Sequence, residues 1–344
     1  TKIGVNAQDT INISDGMGAV VFIMWFGFVI QGSIMMGATA IVSRMTGARD
    51  YPQAQHGLHQ AAMLGLLAGT ISCGLLFTCS DFLVTHVLTM NETARAYSLQ
   101  YVYMAAFAAP FSGVVFAINA ALRGSGDTRL PFWIMMSVGI LNVIFSVIFV
   151  FADAPLGGWR IGGIAAGTVC GYGISMCILL FIMLRRRKKI FTGRKNESLE
   201  ELVRERGEHY APPLYLSFSH LRPDMGMQKR ILKIGLPQAV EVFGMWGIQM
   251  FCLSIISELP IQGVLGVHNI AVRIESLSFL PGFAVGMAAS TLVGQYLGAR
   301  NALMARITIW KCMRYAVIFM TGLGVLFSAF PALFMEIFSN GSTT

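Results

Sequence analysis

The chain has 344 residues, of which 55% are hydrophobic and only 12% are charged, and its formal net charge is +8. Soluble domains carry roughly 25% charged residues. This composition therefore excludes an ordinary soluble protein and predicts a chain that lies largely in lipid.

Six runs without Asp, Glu, Lys or Arg follow one another along the chain. Each is long enough to cross a hydrocarbon core, which takes about 20 helical residues. Two further apolar runs are interrupted, 234–257 by Glu241 and 259–299 by Arg273 and Glu275. Alternating strands of the kind that build barrels are absent. The sequence predicts an all-α polytopic membrane protein with about eight transmembrane helices, the six uninterrupted ones at 17–43, 60–80, 96–122, 130–152, 161–184 and 315–335.

The basic residues are concentrated in alternate loops. Loops 44–59, 123–129, 185–233 and 300–314 hold 21 of the 25 Lys and Arg residues. Because basic loops stay on the cytoplasmic side of a membrane, these four are predicted to be cytoplasmic, and the protein is placed in the inner (cytoplasmic) membrane. The net charge thus reflects topology, and nucleic acid is not expected as a partner.

The linker 185–230 divides the predicted spans into two lobes. It is hydrophilic, begins with five basic residues that attract anionic lipid, and is predicted to be solvated in the cytoplasm. The N-terminal lobe, 17–184, contains five spans, and a partial C-terminal lobe, 231–338, contains three. The first span must run from outside to inside with no initiator Met or signal sequence before it. We therefore expect the chain to be a fragment that lacks a leading helix.

The two lobes contain an internal repeat. At a constant offset of 251 residues, Gly-Ala-Arg occurs at both 47–49 and 298–300, and Met36 corresponds to Met287. Both copies run from outside to inside, so the repeat is parallel and its axis lies along the membrane normal. Many secondary transporters are built from such repeats, with a site between the halves.

Five motifs resemble signatures of the multidrug and toxic compound extrusion (MATE) family, and the resemblance extends over nearly the whole chain. They are Arg-Gly-Ser-Gly-Asp-Thr-Arg at 123–129, Arg-Ile-Gly-Gly-Ile-Ala-Ala-Gly-Thr at 160–168, Gly-Leu-Pro at 235–237 followed by Glu241, Ile-Glu-Ser-Leu-Ser-Phe-Leu-Pro-Gly at 274–282, and Leu-Val-Gly-Gln-Tyr-Leu-Gly-Ala at 292–299. The resemblance implies a twelve-helix fold in two lobes, of which this chain matches helices two to nine. It also implies export of organic cations and other amphipathic compounds in exchange for H⁺ or Na⁺, without a cofactor.

Three departures from the family pattern leave the coupling ion open. The first helix, which in many members carries an acidic residue for ion coupling, is not matched. Other branches place the acid of the seventh helix where this chain has Met245. An acid often follows the Asn of the fifth helix by four positions, whereas here Asn142 is followed by Ser146.

Glu241 and Glu275 are the first and second candidates for ion coupling. A carboxylate inside a span costs about 2.5 kcal/mol or more unless it is paired, protonated or wet. A low-dielectric site would favour protonation of Glu241, and its charged form would attract a cation. A structural carboxylate is the alternative at both positions. Arg273 points about 200° away from Glu275 on the helix, so the two cannot pair directly, and it is a candidate for the cavity wall or for a structural role.

Six further residues complete the candidate site. Asn119 and Gln238 are polar groups inside spans and are candidates for substrate contact. Pro237 and Pro281 interrupt backbone hydrogen bonding and are predicted to kink helices that gate the cavity. The loop containing Arg123 and Asp127 is predicted to cap helix ends and close the cytoplasmic side.

The predicted function is therefore secondary transport of an amphipathic or cationic small molecule by a monomer in the bilayer. A lipid-linked saccharide flippase of the same broader fold is the nearest alternative, although it favours a strongly basic cavity. A non-transporting fragment is a second alternative. An enzyme is not expected, since neither a metal motif nor a nucleophile elbow is present, and His56 and His59 are predicted to be solvated loop residues.

Overall fold

A computed structural model describes residues 7–87, 92–152, 159–190, 199, 201, 212–217, 222–257 and 264–330. Within these ranges every regular element is helical, which confirms the predicted all-α class. In chain order the helices are α1 Ala7–Gly47, α2 Tyr51–Phe82, the π-helical turn Leu83–Val87, α3 Glu92–Ala106, α4 Ala109–Gly124, α5 Arg129–Phe151, α6 Arg160–Ile190, α7 Met225–Ser257, α8 Val264–Gly298 and α9 Ala302–Ala329.

The number of spans agrees with the prediction once one bend is taken into account. Within the described ranges, seven helices are each long and apolar enough to cross a membrane. The predicted span 96–122 is divided between α3 and α4, which meet at a bend of 52° and together make an eighth. Pro110 lies in the first turn of α4, where a missing backbone N–H is tolerated but continuation of the preceding helix is not.

The N-terminal lobe packs through small residues. A Cβ atom on Gly65 of α2 would overlap the carbonyl oxygen of Gly113 in α4, and one on Gly69 would overlap that of Ala109. Such small faces let two helices approach closely, which is how helices associate in lipid. Around this contact, a buried core joins Leu58 of α2 to α4 and α6.

The internal repeat is visible in the backbone. Arg49 and Arg300 are the two non-Gly residues with positive φ, 60° and 57°, in the part of the chain that the structure describes. Each follows a long helix, and the next residue, Asp50 or Asn301, caps the following helix through its side chain. The pairs α1–α2 and α8–α9 therefore share one turn geometry at the predicted offset of 251.

Part of the predicted solvated linker is buried. Leu214–Ser217 are buried, and Leu214 and Leu216 pack in the core that α2 and α6 share. The prediction for His56 and His59 is wrong: both belong to α2, which begins at Tyr51, and His59 is only 2% exposed. Pro at the first turn of α2 and the Asp50 cap start this helix earlier than the charge pattern indicates.

Candidate functional site

One contact between the two lobes lies where α1 and α8 cross near their C-terminal ends. We call this the basic end, because Arg44, Arg123 and Arg300 lie there. A Cβ atom on Gly47 would overlap the carbonyl oxygen of Gln295, and one on Gly298 would overlap that of Arg44. Gly298 and Gln295 are the repeat equivalents of Gly47 and Arg44. The two contacts are therefore equivalent and are related by a local two-fold axis.

The loop 123–129 takes part in this contact. The side-chain amide of Gln295 in α8 donates a hydrogen bond of 2.9 Å to the carbonyl oxygen of Gly124. Gly124 ends α4, where carbonyl groups lack partners within the helix. Gly126, whose φ is +93°, turns the chain beneath Gln295. The hydrogen bond therefore links a signature loop of one lobe to a signature helix of the other.

A small cavity lies between the lobes just beyond the crossing. Its volume is about 10 Å³, which is room for a single water molecule. Two of its lining pairs, Met36 with Met287 and Thr39 with Ser290, are repeat equivalents, so the cavity lies on the two-fold axis; Met35 and Arg123 complete the lining. Methionine side chains adapt to varied apolar shapes, which suits a surface that contacts different compounds.

Arg123 and Asp127 have different partners. Arg123 is half-buried beside the cavity and makes no ion pair with the described residues. Asp127 accepts a hydrogen bond of 3.2 Å from the backbone N–H of Leu130 in the first turn of α5. Its other carboxylate oxygen lies 2.7 Å from a guanidinium nitrogen of Arg186 in α6, and both side chains are about a quarter exposed (24% and 25%).

The candidate coupling residues are placed on α7 and α8. Glu241 and Glu275 are exposed, and neither forms an ion pair or hydrogen bond with any residue that the structure describes. Both helices continue through their prolines, Pro237 and Pro281. The side chain of Arg273 lies outside the described residues, so its predicted place in the cavity wall stays a prediction.

Asn119 and Gln238 differ in environment. Asn119 of α4 is completely buried, and neither atom of its amide has a hydrogen-bond partner among the described residues. Buried amides are almost always satisfied, so this side chain is free to bond a water or another molecule. Gln238, one residue after Pro237 on α7, is half-buried.

The structure contains a polar network inside the N-terminal lobe that the sequence analysis did not include in the candidate site. The side-chain amide of Asn142 in α5 donates a 2.8 Å hydrogen bond to the hydroxyl of Thr168 in α6. Tyr101 of α3 bonds the same side chain, and Ser146 bonds a backbone carbonyl one helical turn from Thr168. All four are polar residues inside apolar runs, and this signal can be read from the sequence. Their pairing across three helices cannot.

Metal ligands are not clustered in the described part of the chain, where groups of three or more His, Cys, Asp or Glu side chains are absent. The groups that the structure does bring together between the lobes are thioethers, hydroxyls, an amide and one guanidinium. Such groups can bind and release a molecule without altering its covalent bonds.

Comparison with known proteins shows a match to one family. The family model MatE matches residues 15–148 and 237–343. The probable multidrug resistance protein NorM of Thermotoga maritima is 24% identical over 94% of this chain and 64% of its own length. The multidrug resistance protein NorM of Vibrio vulnificus is 23% identical, over 88% and 60%. The chain thus spans less than two thirds of these relatives.

The fold of a solved structure is also similar. It is that of the MATE multidrug transporter DinF-BH, with a TM-score of 0.75 over 96% of this chain and 67% of that one, at 20% identity. At this identity the likeness concerns the fold.

Proposed function

The chain belongs to the multidrug and toxic compound extrusion (MATE) family, and from this we propose that it exports amphipathic organic compounds, cations among them, in exchange for H⁺ or Na⁺. It would act as a multi-pass monomer of the inner membrane, without covalent chemistry on its cargo. The observation that carries the proposal is the Met-lined cavity on the two-fold axis between the lobes.

Alternating access would use the contact at the basic end as a gate. In the structure this contact is closed, and the small cavity just beyond it has a volume of about 10 Å³. A compound from the predicted cytoplasmic side could enter only after α8 moves away from Gly47 and the bond from Gln295 to Gly124 breaks. One hydrogen bond is worth about 1 kcal/mol net, so breaking the bond from Gln295 adds little to the cost of separating the packed backbones.

Glu241 is the proposed coupling residue, with Glu275 as the second. Glu241 is exposed to the surroundings of an apolar span and has no cationic partner among the residues described. In a bilayer an unpaired carboxylate is costly. The surroundings of Glu241 would therefore decide whether its side chain is protonated, ionised or bound to a cation. Exchange between two of these forms gives the residue two states to couple to the gate.

Efflux of ethidium from energised cells tests the proposal. A proton gradient or a sodium gradient is imposed separately on cells that make the chain or its Glu241→Gln variant. We expect efflux driven by one gradient and its loss in the variant. Glu92→Gln serves as a matched control, because Glu92 is an exposed acid in the first turn of α3. Absence of efflux under both gradients, with the protein present in the membrane, contradicts the proposed function; normal efflux in Glu241→Gln contradicts the residue assignment alone.

A further inference from the structure

One end of α2 carries four polar side chains on adjacent turns, Gln55, His56, His59 and Gln60, which we call the α2 polar stripe. Residues four apart lie one above the other on a helix, so Gln55 stands above His59 and His56 above Gln60. All four side chains bond the inter-lobe linker, about 160 positions later in the chain. The chain between the lobes is therefore held on the N-terminal lobe at this place.

Gln55 binds the linker as a neighbouring strand would. Its side-chain oxygen accepts the N–H of Tyr215 at 3.2 Å, and its amide nitrogen donates to the carbonyl of the same residue. Next along the linker, the N–H of Leu216 donates to the carbonyl of Met183 in α6 at 3.4 Å. The side chains of Leu214 and Leu216 are buried in the N-lobe core, so polar and apolar contacts support the same position.

Gln60 and His56 bind the linker where it enters α7. Gln60 donates to the carbonyl of Arg222 at 2.7 Å and accepts the N–H of Asp224 at 3.0 Å. His56 lies 2.9 Å from the carboxylate of Asp224, the last residue before α7. The first helix of the C-terminal lobe therefore begins at a point attached to α2.

Two hydrogen bonds of His59 place its ring nitrogens in opposite roles. Its Nδ1 lies 2.8 Å from the carbonyl oxygen of Gln55, which can only accept, so Nδ1 carries a hydrogen. Its Nε2 accepts the backbone N–H of Ser217 at 3.0 Å, so this nitrogen must be unprotonated. A second proton would place two donors against each other at a side chain that is only 2% exposed.

We propose that the α2 polar stripe is a proton-sensitive docking site for the inter-lobe linker, which stays docked while His59 is neutral and is released when His59 is protonated. Release would free the start of α7. That start packs on α1, where a Cβ atom on Gly37 would overlap the carbonyl oxygen of Ile231. A fall in pH at the basic end would therefore loosen the contact between the lobes, whatever compound the protein carries.

The other ionisable groups around this site do not supply the same response. His56 and Asp224 form an exposed pair (34% and 47%), and the hydrogen bond from His56 lowers the pKa of Asp224, which favours the ionised carboxylate. On the linker, burial raises the pKa of Tyr215, and the opposing effect of the positive charge of Arg187 in α6 is smaller. The phenol of Tyr215 therefore stays neutral.

The elements that carry this site also bear Arg and Lys side chains, which ionise far above neutral pH. They are Arg222 before α7, Lys229 and Arg230 on α7, and Arg186 of α6, which is paired with Asp127. Imidazole is the one side chain here whose ordinary pKa lies between pH 5.5 and 7.5. Among the described groups around the stripe, His56 and His59 are therefore the two to distinguish by experiment.

Hydrogen exchange of the amides at 214–217 measures docking directly, because three of them are the donors described above. An accessible imidazole has a pKa of about 6.5, so docking that requires the neutral form weakens about tenfold between pH 7.5 and 5.5. We expect the protection of these amides, corrected for intrinsic exchange, to fall by about that factor in the wild-type protein. In His59→Gln and His59→Asn, which keep an acceptor but cannot be protonated, protection should not change with pH.

His56→Gln is the matched control, since it removes the neighbouring imidazole and leaves His59. The wild-type pH response should persist in this variant. The proposal is overturned if wild-type protection is equal at the two pH values, or if the response survives in both His59 variants. It is equally overturned if the response disappears in His56→Gln, because docking would then depend on the pair with Asp224.

Discussion

Gly47 of α1 packs against the carbonyl group of Gln295 in α8 so closely that no Cβ atom fits between them. The same contact recurs between Gly298 and Arg44, the repeat equivalents. A parallel repeat with its axis along the membrane normal must place equivalent helix ends side by side, and glycine at both positions lets the backbones touch. The Gly-Ala-Arg repeat in the sequence thus corresponds to a physical contact between the lobes.

Gly298→Ala should hold the basic end open. The added methyl group would overlap the carbonyl of Arg44, and overpacking of this kind costs about 1–3 kcal/mol. We expect efflux to fall about tenfold, and thiol reagents to reach a cysteine introduced at Ser290 more rapidly. Gly286→Ala on the same helix is the control, since a Cβ there meets no atom within 4 Å. Equal efflux in the two variants would contradict the gate.

Gln295→Leu should weaken the closed state without adding bulk between the backbones. It removes the 2.9 Å bond to the carbonyl of Gly124, worth about 1 kcal/mol or about a fivefold change in population. Access of a thiol reagent to the same cysteine at Ser290 should rise by about that factor. Gln249→Leu, which replaces an exposed amide on α7, should leave access unchanged; a rise there too would show that the effect is not specific to the gate.

Asp127→Asn should destabilise the protein more than Asp81→Asn does. Both acids lie 2.7 Å from an arginine, but the pair of Asp127 with Arg186 is about a quarter exposed and that of Asp81 with Arg95 is 51% and 39% exposed. Exposed ion pairs contribute at most about 1 kcal/mol to the free energy of unfolding. When one partner of a desolvated pair is neutralised, the protein loses more of this free energy. Thermal unfolding in detergent measures the difference, and equal shifts in Tm would refute the argument from burial.

Asn119→Leu separates a structural from a binding role of this amide. Both polar atoms are buried and unsatisfied in the described part of the chain, so an apolar residue of similar size should raise Tm. If Asn119 contacts the transported compound, as the sequence predicts, efflux should fall several-fold in the same variant. A higher Tm with unchanged efflux would remove Asn119 from the candidate site.

Much of the fold could be predicted because membrane helices leave a local signal. Charge-free runs indicate the spans, and the motifs at Gly47 and Gly298 indicate the repeat, since both signals depend on neighbouring residues. The bend before Pro110 was missed, because a single apolar run conceals it.

The docked linker was predicted as solvated because its partners on α2, Gln55 and His59, are about 160 residues away in the chain. A polar helix face looks the same in the sequence whether it meets water or a buried backbone. The network of Asn142 with Thr168 escaped notice for the same reason. Pairing across helices is determined by packing, not by local pattern.

Cross-linking across the axis tests the central claim most directly. Met36 and Met287 line the same small cavity from opposite lobes. Cysteines at both positions, with the six native cysteines replaced, are joined by a short, cleavable bifunctional thiol reagent, and ion-driven efflux is measured before and after cleavage. Alternating access through the basic end predicts that efflux stops on cross-linking and returns on cleavage. The reagent should not change the efflux of either single-cysteine variant. Efflux that continues at full rate in the cross-linked protein would contradict the account.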